Sequence, residues 1–367
     1  MILHRRAVIE GAAAALAATA FPTVAPAHAV FAPTPGPWRT FTVVTRLEIE
    51  GARGKSQAWV PLPSVNEPTW TRSGASEWTT NATTAQRWRD PRYGAEMLHV
   101  IWAEDETAPV VEVMSHVATR DRAIDLTRPG EAPPLSAAER ALYLAPTDLI
   151  PTDGIVKEMA DRITGGAASE VAKARAIYEW LVKNTYRDAS VRGCGVGDVA
   201  AMLRTGHLGG KCADLNALLV GLARASGLPA RDLYGLRVTP SKFDYRSLGV
   251  RSDIVTRAQH CRAEVFLTGF GWVPIDPADV RKVMLEEPPG HLIIGDDKVE
   301  AVHKALFGAW EGNWIAYNFA HDLALPGSRE PKRAFLMYPE AETTAGRRDC
   351  LDADSFRYTI TARETTV

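Results

Sequence analysis

Apolar and polar positions change their period along the chain. Between residues 38 and 127 they alternate, or run together in short β-branched stretches, which is the signature of strands. Phe41 to Ile49, Ser56 to Leu62, Leu98 to Trp102 and Val110 to Val117 are the clearest of these. No helical period appears before about residue 136, so the spacing predicts an antiparallel β-sandwich of about a hundred residues. Proline-containing residues 128–136 read as a linker. Beyond it the spacing predicts helices over Ala137 to Leu144, Asp153 to Ile163 and Ser169 to Tyr186. In the last, Ser169 is the N-cap and Ala172, Ala176, Tyr178 and Leu181 share one side. The strongest helical signal begins at Cys212. Leu215, Leu218, Leu219 and Leu222 fall at i, i+3, i+4 and i+7 of a buried amphipathic helix, which Gly227 and Pro229 terminate.

The start of that helix carries the candidate chemistry. Gly209 and Gly210 allow a tight turn that brings backbone N–H groups close to a substrate. A cysteine at a helix N-terminus meets unpaired N–H groups and the positive dipole end, which favour a thiolate and supply donors to an oxyanion. A lone cysteine there is more often a small core residue. A second pattern changes the balance: His260 opens an apolar run to Leu267, a Gly-containing turn follows, and a second run ends at Asp276-Pro277, which reads as a β-hairpin. The hairpin brings a histidine and a carboxylate to one edge, available to a helix-start cysteine, in the Cys-His-Asp arrangement used for acyl transfer.

These residues also carry a resemblance. Gly-Gly-Lys-Cys-Ala-Asp at 209–214, His-x-x-x-Glu-Val-Phe from His260 and Gly-Trp-Val-Pro-Ile-Asp-Pro ending at Pro277 resemble the transglutaminase-like branch of papain-type enzymes. The resemblance implies an α+β fold, an N-terminal antiparallel β-sandwich followed by a papain-like, transglutaminase-like core. It makes Cys212 the nucleophile, His260 the general base and Asp276 the residue that orients the histidine. It also implies a thiol enzyme acting on amide or peptide bonds of a peptide or protein substrate, without cofactor or metal. Hydrolysis is the favoured fate of the acyl-enzyme. Protein transamidation by the same triad, or a non-catalytic module binding envelope peptides, are the alternatives. The oxyanion donors expected are the Cys212 N–H and a side chain near Tyr178 or Tyr186.

Composition alters this picture little. With 46% apolar and 23% charged residues and a net charge of −2, the chain is an ordinary globular protein without a nucleic-acid-binding balance. Its 367 residues suggest a division into 1–29, 30–130, 131–335 and a C-terminal strand or tail at 336–367. The first segment reads as a cleaved twin-arginine export signal: Arg5-Arg6 precedes an Ala-rich stretch, and Ala27-His28-Ala29 resembles a cleavage site. A periplasmic or secreted protein that does not span the membrane is therefore expected. Cys194, Cys212, Cys261 and Cys350 form no dense disulfide framework, and neither Cys-x-x-Cys nor His-x-x-x-His occurs. Cys261, next to His260 on a strand, should point to the opposite, buried face. His99 and His116 read as structural. The polar stretch 235–259 reads equally as a substrate-contacting loop or a solvated one, and the aromatic stretch 310–322 as a cleft lining or a packed strand.

Overall fold

The computed structural model describes residues 30–352 and 356–365, and the export signal expected at 1–29 lies outside them. Six strands form the N-terminal layers: β1 (Arg39–Glu48), β2 (Ser56–Leu62), β3 (Thr71–Thr80), β4 (Thr84–Arg89), β5 (Glu96–Trp102) and β6 (Val110–Thr119). All pairings are antiparallel. In one sheet β6 lies between β1 and β3, with Phe41 opposite Val117. In the other β5 lies between β2 and β4, with Ala58 opposite Val100. Burial alternates at every position of β6, as a strand with one face in the core requires. Strand β2 is buried throughout, because Ala58 and Val60 face the main core while Trp59 packs with Met97, Leu323 and Leu336 on the other side. The chain returns to these sheets at its end: Glu340–Thr343 (β11) pairs with β2, and Arg357–Thr365 (β12) adds to the free edge of β1.

The central part holds helices α1 (Ala137–Leu144), α2 (Gly154–Thr164), α3 (Glu170–Asn184), α4 (Val199–Thr205), α5 (Cys212–Ala225), α6 (Pro277–Glu286) and α7 (Asp297–Ala305). Its antiparallel sheet has the order β9 (Gly271–Ile275), β8 (Gln259–Leu267), β7 (Ala230–Arg237), β10 (Trp314–Asn318). Helix α5 packs on β8 and β7, with α2 and α3 against its other sides. Every one of its residues is buried, in keeping with the buried helix its leucine spacing predicts; Ala213, Ala217, Val220 and Ala223 fill the remaining faces and make α5 a central helix. It ends in a Schellman motif, with Gly227 at φ +83° and the Leu228 N–H donating to the Ala223 carbonyl at 2.9 Å. Helix α3 buries Ala174, Ile177, Tyr178, Leu181 and Val182, a stripe rotated away from Ala172 and Ala176.

A buried ion cluster joins the central sheet to its surroundings. Glu264 on β8 accepts hydrogen bonds from Arg231, at 2.6 Å, and from Arg122, while Arg231 also reaches Glu67 at 2.7 Å. Burial resists the charge on Glu264, but the two guanidiniums hold its carboxyl below the usual range. Among the described residues no helix is long and apolar enough to cross a membrane.

Candidate active site

Asp214, at the third position of α5, builds the cradle for Cys212. Its carboxylate accepts the backbone N–H groups of Lys211, Val196 and Gly197, each at 2.9 Å, tying the 193–197 loop to the helix start. Gly195 sits at φ +94°, and a Cβ there would fall 1.8 Å from the Asp214 carboxylate. Gly209 and Gly210 serve differently from the expectation. Both are buried, neither has a positive φ, and they pair with Tyr186 and Arg187. A Cβ at Gly209 would lie 2.3 Å from the Tyr186 ring, so the absence of a side chain there permits close packing. The Cys212 N–H is the first of α5 and has no acceptor within the helix.

The hairpin delivers the other two groups by an offset route. Ala263 pairs with Ile275, and the chain then leaves the sheet. Asp276 becomes the N-cap of α6, accepting the Asp279 N–H at 3.1 Å, and its other oxygen lies 2.8 Å from His260 Nε2. Nδ1 is left as the ring nitrogen to face the thiol. Further residues complete the site. Asp279 places an oxygen 3.3 Å from His260 Nε2 and is gripped by Arg237 at 2.5 and 2.6 Å. Asn216, one turn after Cys212, donates to the Cys261 carbonyl at 2.8 Å and lies 3.4 Å from Asp276. Trp314 Nε1 holds the His260 carbonyl at 2.9 Å. Asp279 is legible afterwards as i+3 from an N-cap aspartate; Asn216 and Arg237 gave no signal that sets them apart from other polar residues.

Electrostatics follow from this packing. Burial disfavours the charged imidazole, but Asp279 and Asp276 outweigh burial and Arg237 and raise His260 from 6.5 to about 9. Asp279 resists protonation because Arg237 and His260 more than offset its burial, whereas burial and the neighbouring Asp279 push Asp276 up. The Cys212 thiol is driven well below its ordinary value by the neighbouring Cys194 and Cys261 thiols, against the effect of burial, and further by His260, while Cys194 itself donates to the Gln259 carbonyl at 3.4 Å and Cys261 to the Met337 sulfur at 4.0 Å. Cys261 is buried as expected, but its sulfur faces the helix start: the sulfurs of Cys194, Cys212 and Cys261 lie within 4.8 Å of one another. All four cysteines are free thiols. The three sulfurs have the spacing of ligands to a soft cation, as His260, Asp276 and Asp279 have for a harder one, and in both sets hydrogen bonding already employs the donor atoms.

Cys194, Cys212 and His260 open onto a cavity of about 700 Å³. The 235–259 loop contributes Gly249, Val250, Thr256, Arg257 and Ala258 to its wall, while Asp244, Tyr245, Arg246 and Arg251 line a separate, smaller hollow. Neither expected tyrosine reaches the cavity. The Tyr178 hydroxyl donates to the His303 carbonyl at 2.7 Å, and that of Tyr186 pairs with His207 at 3.2 Å. Gln259 is the amide that lines the cavity, with a buried Nε2 that has no partner among the described residues. Residues 314–318 form the buried strand β10, and His321 packs against Tyr234, so the aromatic stretch is core. His99 stacks on Trp59 and hydrogen-bonds Gln57, and His116 bonds Thr42; both are structural.

Residues 157–277 match the transglutaminase-like superfamily core, a span that includes Cys212, His260 and Asp276. The chain is 37% identical to an uncharacterised protein of Haemophilus influenzae over 331 residues, covering 86% of this chain and 88% of that one. A crystal structure from Cytophaga hutchinsonii, described as that of a candidate cysteine protease, superimposes with a TM-score of 0.51 at 15% identity. It covers 89% of this chain and 99% of its own. The core match, the thiol at the head of the central helix and the histidine–carboxylate hairpin facing it agree: the chain belongs to the transglutaminase-like superfamily.

Proposed function

We propose that the protein is an exported thiol enzyme that hydrolyses amide bonds of peptides through a Cys212 acyl-enzyme. The observation that carries the reading is the His260 ring held between two buried carboxylates and beside a thiol whose surroundings favour the thiolate. The thiolate attacks the substrate carbonyl. Charge that develops on oxygen is met by the Cys212 N–H and, once the side chain turns out of its buried position, by the unpartnered Gln259 Nε2. The imidazolium gives its proton to the departing amine, leaving a thioester and a neutral ring. His260 then takes a proton from water as the water attacks the thioester; the acid departs, the sulfur leaves as thiolate, and the ring is again imidazolium. Asp276 and Asp279 stabilise the imidazolium at each stage.

Transamidation uses the same first half, with an amine in place of water. A catalytically silent binding module has no use for a thiolate beside a carboxylate-clamped imidazole, which favours the enzyme reading. Export, to the periplasm or the medium, rests on Arg5-Arg6 and the Ala-rich stretch that follows. The test is peptide-library profiling of the signal-free protein against Cys212→Ala, with and without a primary amine. Cleavage lost in the variant and undiverted by amine is expected; cleavage retained in Cys212→Ala would overturn the reading.

A further inference from the structure

The side chains that bring full charge to the described lining of the cavity in front of Cys212 are basic. Arg187, Arg192, Lys211, Arg237, Arg257, Lys282 and Arg357 line it, and no Asp or Glu is among the described lining residues. Five of these cations have carboxylates behind them. Glu286 serves both Arg187, at 2.6 Å, and Lys282, at 3.8 Å; Asp349 holds Arg192, Asp279 holds Arg237, and Glu50 holds Arg357. Asp188 and Asp352 act on Lys211 and Arg192 from farther off, and none of these carboxylates lines the cavity. Lys211 and Arg257 make no side-chain hydrogen bond or ion pair with any described residue, although Lys211 is half-buried. Their positions matter more than their number. Lys211 immediately precedes the nucleophile, and Arg257 lies three residues before His260, so one cation without a direct ion-pair partner stands on each catalytic wall of the cleft. Tyr338, Phe356 and Tyr358 add an aromatic side to the same space.

A concave, low-dielectric site lined by one sign of charge concentrates ligands of the other sign. From this lining we infer that the substrate is an acidic peptide whose carboxylates flank the scissile amide and are recognised by Lys211 and Arg257. The inference deepens the amidase reading and rests on it. Arg187 and Lys282 share one carboxylate and extend the positive wall, and the aromatic side receives the apolar part of the peptide. A neutral or basic peptide gains nothing from these two cations, so the preference is one of KM and association rate more than of the chemical step.

Two alkylating reagents of the same size and different charge test this without a known substrate. Iodoacetate carries a carboxylate and iodoacetamide does not, and both trap thiolate by losing iodide. The measured quantity is the ratio of their second-order rates at Cys212, relative to the same ratio for glutathione. Taking the ratio cancels any general change in thiolate reactivity. We expect a ratio above that of glutathione by on the order of tenfold, falling severalfold in Lys211→Gln and again in Arg257→Gln. It should also fall as salt shortens the Debye length from about 10 Å at 0.1 M to about 3 Å at 1 M. A ratio equal to that of glutathione, or one indifferent to both substitutions, overturns the inference while leaving the enzyme reading intact. If neither reagent labels Cys212 faster than glutathione, the enzyme reading fails and the inference fails with it. Cleavage of glutamate-flanked over glutamine-flanked peptides, with the advantage in KM and its loss in the two variants, is the corresponding result with substrate.

Discussion

Asp279→Asn is the perturbation that separates this site from a simple three-residue arrangement. Raising His260 from 6.5 to about 9 corresponds to roughly 3 kcal/mol in favour of the imidazolium. Two unit charges 3.3 Å apart attract by about 5 kcal/mol at an effective dielectric constant near 20. Removing the Asp279 charge is therefore enough to cancel the whole shift, and it leaves Arg237 as an uncompensated cation beside the ring. The expected result is a His260 that titrates at or below about 6.5, so that at pH 8 the thiolate has lost its counter-ion. The assay is kcat/KM against pH. The wild-type upper limb near 9 should move down by more than two pH units, and activity at pH 8 should fall by roughly 10- to 100-fold. Breaking a buried pair also destabilises the fold by about 3–5 kcal/mol, so Asp279→Asn/Arg237→Met serves as the control. The double variant should recover thermal stability and keep the lowered His260 pKa. A folded Asp279→Asn whose upper limb stays near 9 would refute the reasoning.

Cys212→Ala should abolish turnover, and Asp276→Ala should lower kcat by about 10²–10⁴, both read in steady-state kinetics on a peptide substrate. Gln259→Ala removes a proposed oxyanion donor and should reduce kcat by up to about 10²-fold with little change in KM; an effect confined to KM would reassign it to binding. Hydrogen peroxide should oxidise the Cys212 thiolate to a sulfenic acid with release of water; the Cys194 sulfur then attacks the sulfenic sulfur, the S–O bond breaks and a second water leaves, giving a disulfide, because their sulfurs lie within 4.8 Å and glycines flank Cys194. Peptide mass mapping should find the Cys194–Cys212 bridge and reductant should restore activity. In Cys194→Ser/Cys261→Ala, with no neighbouring thiol left to trap the sulfenic acid, excess peroxide should oxidise it further to the sulfinic acid, which reductant does not reverse.

The parts of the fold that local pattern reveals are those with one buried face. Strand β6 alternates at every position, and α1 appears with the bounds its spacing predicts. The strands β3 and β4 escape notice because they lie at sheet edges, where half-solvated and polar positions blur the period. The return of β11 and β12 to the N-terminal sheets is a long-range pairing that no window of sequence contains. At the site, Cys212, His260 and Asp276 are readable because each marks the end of an element, where caps and turns leave a chemical signature. Asp279, Asn216 and Gln259 are not, because their importance comes from what the fold sets beside them. The tyrosine hydroxyls of Tyr178 and Tyr186 are equally illegible, because only the fold turns them to the His303 carbonyl and to His207 and away from the cavity.

The central claim is that Cys212 and His260 rest as a thiolate–imidazolium pair. The direct measurement is the ultraviolet absorbance of the thiolate as a function of pH, taken as wild type minus Cys212→Ala. The pair predicts thiolate absorbance already present well below the ordinary thiol range, with a further change only as His260 loses its proton near 9. A single titration at the ordinary thiol value of 9.0, and no thiolate below it, would contradict the account.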